Sequence, residues 1–414
     1  MGVSVEGIIA AEKRLKDVVK HTDLQLNAGL SAKYDCNVYL KREDLQIVRS
    51  YKLRGAYNAI DSLKLDELAQ GVVCASAGNH AQGLAYSCQK KKIKGWVFMP
   101  STTPNQKIRQ VEMFGKEFVE IILTGDTFDD AYGEAKSFCE KEGKTFIPPF
   151  DHIKVIEGQA TVGVEIFKDF FGEIDYILAP IGGGGLISGI SSYFEKVSPN
   201  TKIIGVEPEG AASMAAALKA GKVVKLPKMD KFVDGAAVQQ VGQLPFEICQ
   251  RLVKDVVTVP EGKVCSTIIE LYNEEAIVVE PAGALTTAAL DSVRDEIRGK
   301  NVVCVVSGSN NDLGRMEEIK ERSLLYEGYK HYFIIHFAQR SGALREFLDE
   351  VLGPNDDITH FEYTNKNIRE SGPAVVGVEM KDKDDYVKLI DRLNSKKIKY
   401  KVLNEDPTLF EYFI

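Results

Sequence analysis

From about residue 36 to 310, short β-branched apolar runs alternate with stretches whose apolar residues recur every three or four positions. The first pattern is that of strands, the second that of amphipathic helices. Strands are predicted at Asn37 to Lys41, Gly71 to Ala75, Lys94 to Met99, Phe118 to Leu123, Thr145 to Ile147, Tyr176 to Pro180, Lys202 to Glu207 and Val302 to Ser307. Helices between them include Asn79 to Lys90 and Thr127 to Glu142. Such alternation predicts an α/β fold with mainly parallel sheets. At the start, Val5, Ile8, Ile9, Leu15 and Val18 suit a surface helix with one packed face.

Beyond about Leu325 the texture changes. A strand at Tyr332 to Phe337 is followed by a helix from Ser341 onward, with Leu344, Phe347, Leu348 and Val351 on one stripe. Two strands, Ile358 to Thr364 and Ala374 to Met380, flank a polar loop containing Gly372 and Pro373. A helix at Lys383 to Asn394 and a strand at Ile398 to Leu403 complete a βαββαβ order, that of a ferredoxin-like unit. The boundary is expected near Tyr326 to Lys330, giving a unit of residues 1–325, with a smaller lobe at roughly 40–150, and a second of 326–414.

Composition narrows the class. The 414 residues are 44% hydrophobic and 27% charged, enough to bury more than one core. The net charge of −8 argues against a phosphate-backbone partner, so no nucleic acid is expected. Seven scattered cysteines, odd in number and never spaced C-x2-C, predict buried thiols in a reducing compartment. The N-terminus lacks the basic and apolar regions of an export signal, and no apolar run nears the ~20 residues a membrane helix needs. A cytoplasmic protein with no membrane partner is expected.

The chain has no G-x-G-x-x-G, Walker A, H-E-x-x-H or G-x-S-x-G motif. It does have Gly182-Gly183-Gly184-Gly185-Leu186 between the strand Tyr176 to Pro180 and a helix expected from Ile187. Four residues without side chains let backbone N–H groups converge on a small anion such as a phosphate. The bland alternative is a turn where no side chain fits. Three further segments stand out. Ser50-Tyr51-Lys52-Leu53-Arg54-Gly55-Ala56 sets a lysine between an aromatic residue and a glycine; a lone lysine is usually a solvated charge. Ser76-Ala77-Gly78-Asn79-His80 ends a strand and opens a helix, offering donors to a carboxylate or simply an N-cap. Ser307-Gly308-Ser309-Asn310 closes the last parallel strand, and strand ends of this kind gather ligands in open α/β sheets.

In this order and at these separations, SYKLRGA, SAGNHAQG, GGGGL and SGSN resemble the fold-type II pyridoxal-phosphate enzymes, and within them the threonine and serine dehydratases. The resemblance spans about residues 5–320 and implies a two-lobed fold like that of the tryptophan synthase β chain. The tail resembles the ACT-like regulatory domain of the biosynthetic enzymes of this family. It implies that Lys52 forms the imine with pyridoxal phosphate and that Asn79 contacts the ring 3′-oxygen. Gly182, Gly183, Gly184, Gly185 and Leu186 would supply backbone donors to the phosphate, and Ser307 would bond the pyridine nitrogen. Ser76, Ala77, Asn79 and His80 would line the substrate pocket, His80 having the alternative of a ring bonded to backbone. Tyr51 departs from the phenylalanine usual before the family's lysine.

The activity implied is deamination of L-threonine, and also of L-serine, to a 2-oxo acid and ammonia, the first step of isoleucine biosynthesis. Related racemases carry a second hydroxyl where this chain has Ala77, which cannot transfer a proton. Glu207 and Ala211 fall where relatives hold a monovalent or divalent cation; a salt-bridged strand-end carboxylate is the alternative. Glu280 falls near the ring in relatives, with a catalytic or a structural role equally open. Gln339-Arg340-Ser341-Gly342-Ala343-Leu344 resembles the turn at which ACT-type modules bind amino acids, implying isoleucine as effector and a homo-oligomer, expected to be a tetramer. The rival readings are a catabolic threonine/serine dehydratase, a β-replacement enzyme of the cysteine-synthase type and an amino-acid-sensing pseudoenzyme.

Overall fold

The computed structural model describes residues 2–363 and 371–404, which fall into two compact units. The first comprises Met1–Glu261 and Leu271–Asp312; the second comprises Gly262–Glu270 and Leu313–Ile414. The first unit is built on strands β1 (Leu24–Leu26), β2 (Asn37–Arg42), β3 (Val72–Ala75), β4 (Gly95–Met99), β5 (Val119–Leu123), β6 (Thr145–Phe146), β7 (Tyr176–Pro180), β8 (Lys202–Pro208), β9 (Asp255–Val259) and β10 (Asn301–Val306). They form two sheets. One has the order β1-β2-β10-β7-β8-β9, parallel except for β1. The other, β5-β4-β3-β6, is parallel throughout. All eight expected strands appear within two residues of their predicted ends. β1 and β9 were not expected: β1 is three residues long, and β9 is a half-exposed edge strand.

Close helix packing fixes the start of the helix Lys52–Asp61. A Cβ on Gly55 would lie 2.8 Å from the Val155 carbonyl oxygen, and one on Gly158 only 2.4 Å from that of Arg54. The helices Lys52–Asp61 and Ile153–Asp169 therefore meet backbone to backbone. That approach delivers Arg54, with none of its surface exposed, into a buried charge cluster. Its guanidinium makes paired hydrogen bonds of 2.8 Å to Glu43 and of 2.7 and 2.8 Å to Glu165, with a further bond to Thr161. Lys41, also fully buried, donates to Glu165 at 2.6 Å and to the Thr22 carbonyl at 2.7 Å. Burial pushes the Glu165 carboxyl up, but Arg54 and then Lys41 more than reverse this and hold it at about 2.

The second unit carries β11 (Lys330–Ala338), β12 (Asp357–Tyr363), β13 (Ser371–Glu379) and β14 (Lys399–Val402). The sheet order β12-β13-β11-β14 is antiparallel throughout, with helices Ala343–Glu350 and Asp385–Ser395 between strands: the expected ferredoxin-like unit. Gly372 and Pro373, expected in a loop, belong to β13 opposite Phe337 and His336. A proline near the start of a strand costs the ladder a single N–H. Thr364, the predicted end of the second tail strand, lies outside the described residues. Of the predicted stripe, Phe347 and Val351 enter the core, whereas Leu344 and Leu348 stay 41% and 43% exposed. The helix is rolled so that only one of the two adjacent ridges is packed. All seven cysteines are free and buried. Among the described residues, no helix is long and apolar enough to cross a membrane.

Candidate active site

Three of the four motifs begin just after strand ends, those of β3, β7 and β10, the fourth opens the helix Lys52–Asp61, and the first unit brings them together. Ser50 bridges to Gly308, the Tyr51 N–H donates to the Ser307 carbonyl at 3.2 Å, and the Ser309 N–H donates to the Arg49 carbonyl at 2.9 Å. The segment before the helix Lys52–Asp61 is thereby stitched to the end of β10. A Cβ on Gly83, in the helix Asn79–Lys91, would lie 3.2 Å from the Lys52 carbonyl carbon, which brings the SAGNHAQG segment against the same point.

Lys52 opens its helix half-buried, leaving room for a small molecule to reach the amine. Its Nζ lies 3.5 Å from the Pro149 carbonyl oxygen and 5.5 Å from the Tyr51 ring centroid. Loss of hydration lowers the amine to about 8, against the opposing pull of Glu280. At neutral pH about a tenth of such amines are uncharged, against fewer than about one in a thousand for an ordinary lysine. This lysine is poised to be a nucleophile or a base.

The glycine run forms a cradle. Gly184 adopts φ +90°, and the helix Gly185–Val197 starts two residues earlier than expected, because glycine tolerates that left-handed cap. The first hydrogen bond of this helix is Ser188 N–H to the Gly184 carbonyl, so the amides of Gly185, Leu186 and Ile187 have no partner within it. The Gly182 backbone runs beside Ala236, and the Gly183 carbonyl accepts from the Gly242 amide at 3.2 Å. A Cβ on Gly183 would lie 2.1 Å from the Phe150 ring, a residue that sequence reasoning missed. Gly183→Ala is therefore expected to displace Phe150 and weaken binding of pyridoxal phosphate by about tenfold or more, through the loss of one or two charge-assisted bonds. Equilibrium titration of the variant with the cofactor checks this.

Ser307 is buried at the end of β10 and donates to the Ala282 carbonyl at 3.2 Å. Asn79 is the first residue of its helix; its Nδ2 donates to Glu280 Oε1 and its Oδ1 accepts from Asn310 Nδ2, both at 2.7 Å. Glu280 is pushed up to about 7 by burial and then by the charge of Asp234, with the Asn79 bond and Lys107 opposing. Ser76 accepts from the Gly78 amide at 3.2 Å, and Ala77 is half-buried beside it. The buried His80 ring bonds the Ile147 carbonyl through Nε2 at 2.9 Å. Burial, then the Lys52 charge, lowers the imidazole to about 4, so at neutral pH its single N–H is spent on backbone. What this segment offers an anion is the positive start of the helix Asn79–Lys91.

Both oxygens of Glu207 accept backbone N–H groups, from Met214 at 2.7 Å and Ala215 at 2.9 Å, capping the helix Ser213–Ala220. Ala211 closes the preceding turn. A cation at Glu207 would share these oxygens with the amides. Among the described residues, no cluster of three or more His, Cys, Asp or Glu side chains could hold a metal ion.

A half-buried reactive amine, a side-chain-free anion cradle and a buried hydroxyl at a neighbouring strand end suit pyridoxal phosphate, which needs an imine partner, a phosphate site and a group for its ring nitrogen. The comparisons agree with this fit. Residues 15–308 match the family described as pyridoxal-phosphate dependent enzyme, and residues 321–413 match the C-terminal regulatory domain of threonine dehydratase. The chain is 59% identical over 412 residues to the biosynthetic L-threonine dehydratase IlvA of Halalkalibacterium halodurans, covering all of this chain and 99% of that one. It is also 59% identical to the enzyme of the same name from Bacillus subtilis, covering all of this chain and 98% of that one. Among solved structures, the processed form of threonine deaminase isoform 2 from Solanum lycopersicum superposes with a TM-score of 0.74 at 39% identity, over 78% of this chain and 90% of that one. The chain thus belongs to the pyridoxal-phosphate-dependent enzymes, and within them to the biosynthetic threonine dehydratases.

Proposed function

We propose that this chain deaminates L-threonine to 2-oxobutanoate and ammonia in the cytoplasm, as the first step of isoleucine biosynthesis. The observation that carries the reading is that Lys52 lies against Pro149 and the glycine cradle against the adjacent Phe150, while Tyr51, the residue before Lys52, is bonded to Ser307. Bound pyridoxal phosphate supplies the electron sink for a substrate carbanion. Lys52 is the residue that would hold the cofactor and, once released by the substrate amine, would serve as the base for the Cα proton near neutral pH. Gly182 to Leu186 bind the phosphate through backbone amides. Ser307 has one proton to give, now spent on the Ala282 carbonyl; turned to the ring nitrogen of bound cofactor, it would leave that nitrogen neutral, which would favour elimination over transamination. The helix start at Asn79 and His80, with Ser76 and Ala77, receives the substrate carboxylate. Ala77 offers no proton donor on the face opposite the lysine, which supports elimination over racemisation.

The catalytic part is residues 1–325 and the regulatory part 326–414. The latter binds isoleucine as feedback inhibitor within a homotetramer, through different affinities in two states of the assembly. Adding L-threonine or L-serine to the cofactor-loaded chain, with and without isoleucine, tests the reading. Ammonia and 2-oxo acid release is expected, with kcat/KM favouring threonine by about tenfold or more, the worth of one buried methyl. Isoleucine is expected to inhibit. A chain that releases no ammonia from threonine refutes the activity; turnover indifferent to isoleucine refutes the regulatory half.

A further inference from the structure

Two residues outside the proposed contact set hydrogen-bond the Asn79 amide from either side, Asn310 and Glu280. The logic begins at a group that cannot be turned round. The Val48 carbonyl only accepts hydrogen bonds, and Asn310 Nδ2 donates to it at 2.9 Å. The same Nδ2 donates its other hydrogen to Asn79 Oδ1 at 2.7 Å. Flipping Asn310 would set its Oδ1 against two acceptors, the Val48 carbonyl and Asn79 Oδ1. The donors prevail even though Asn310 Oδ1 is left buried with no partner. Asn79 must then turn its oxygen toward Asn310 and its nitrogen toward Glu280, whose Oε1 receives it at 2.7 Å. A flipped Asn79 would put two NH2 groups face to face, and would set its oxygen against the Glu280 oxygen whenever that carboxyl is ionised.

Glu280 is itself tightly held. A Cβ on Gly308 would lie 2.5 Å from its Oε1, and one on Gly235 3.2 Å away. Its backbone N–H donates to the Gly308 carbonyl at 3.2 Å. Its carboxylate therefore forms a fixed end to the chain Val48 carbonyl, Asn310, Asn79, Glu280. One N–H of Asn79 is engaged by Glu280, and the half-buried amide keeps a second.

We infer that Asn310 and Glu280 are positioning residues that lock the Asn79 amide so that an N–H, and not the carbonyl, meets the ring 3′-oxygen of bound pyridoxal phosphate. This rests on the proposed contact between Asn79 and that oxygen. A fixed donor there stabilises the ring oxygen in its anionic form and keeps the imine proton on nitrogen, the form that absorbs in the visible. An acceptor in its place drives the proton to the oxygen and the absorbance into the near ultraviolet.

The test compares the intact cofactor-loaded chain with Glu280→Ala, Glu280→Gln and Asn310→Asp. Its readouts are the ratio of visible to near-ultraviolet cofactor absorbance and the Kd for pyridoxal phosphate of the stripped chain. Asn310→Asp conserves volume while replacing the donors with acceptors, so it decides the matter if Glu280→Ala does not fold. Asn310→Asp and Glu280→Ala are expected to lower the absorbance ratio several-fold and weaken cofactor binding by about tenfold, the scale of a hydrogen bond to a charged group. Glu280→Gln, which still offers an acceptor to Asn79, is expected to restore most of the ratio. A merely structural role would lower occupancy without changing the ratio of the cofactor that remains bound. A wild-type visible band unmoved by these variants overturns the relay alone. A wild-type chain that forms no such band overturns the site assignment and the relay with it.

Discussion

Replacing Lys52 with alanine is expected to abolish the visible absorbance of the cofactor-loaded chain and lower threonine turnover by about a thousandfold or more. Two losses combine: the amine that anchors the cofactor and the base that takes the Cα proton, the second alone worth about 10²- to 10⁴-fold. The environment of Lys52 sharpens this expectation. Loss of hydration lowers its amine to about 8 although Glu280 pulls the other way. The neutral form that attacks the cofactor carbonyl is therefore well populated just above neutrality. The rate at which the wild-type chain takes up cofactor should rise with pH and level off above about pH 8. An arginine at position 52 remains charged throughout that range and should show no covalent uptake at any pH. Absorbance after mixing with pyridoxal phosphate, followed against pH, measures both effects. A Lys52→Ala chain that forms 2-oxobutanoate at close to the wild-type rate refutes the assignment.

The second large effect is on stability. Arg54→Met leaves Glu43 and Glu165 facing each other in the interior with only Lys41 in attendance, and removing one partner of a buried ion pair costs about 3–5 kcal/mol. Arg54→Lys keeps the charge but not the two-pronged fork, and should fall between the two. The probe is built in: the chain has one tryptophan, Trp96, which lies in β4 of the first unit, so its fluorescence during urea unfolding reports on that unit. The pH dependence has a definite sign. Glu165 is held at about 2, below its ordinary carboxylate value of 4.5. Its contribution is thus fully present above about pH 4.5 and is lost as pH falls toward 2. The Arg54→Met chain, lacking the main depressing charge, should lose less of its remaining stability over that window than the wild type.

The sheets were legible because buried parallel strands are continuous apolar runs, as in Tyr176–Pro180, whose ends were placed without error. β1 escaped notice because Leu-Gln-Leu is too short to show any period; β9 was overlooked although Val256-Val257-Thr258-Val259 is a β-branched run that ends at Pro260. The site was legible where chemistry is concentrated in adjacent residues, as in SYKLRGA and the four glycines. It was illegible where partners converge from afar. Phe150, which fills the space a Gly183 side chain would take, follows two prolines and carries no local signal. Asn310 was quoted as the end of a motif and given no task, because its partners Val48 and Asn79 are more than 200 residues away in sequence. Lys41, Glu43 and Arg54 were given no task by the sequence, yet all three are buried; a charge in sequence says nothing about whether a countercharge will be folded against it.

The seven free thiols have a consequence for how the molecule could be watched. Cys74 and Cys88 lie in the core of the smaller sheet, whereas Cys249 and Cys304 are buried around the larger one. Burial raises the pKa of each of these four, suppressing the thiolate that alkylating reagents attack. These four thiols are therefore silent in the native state, and their labelling begins only when a region opens. Alkylation followed cysteine by cysteine would time the opening of each sheet separately, making the folded chain a pair of stopwatches that need no engineered label.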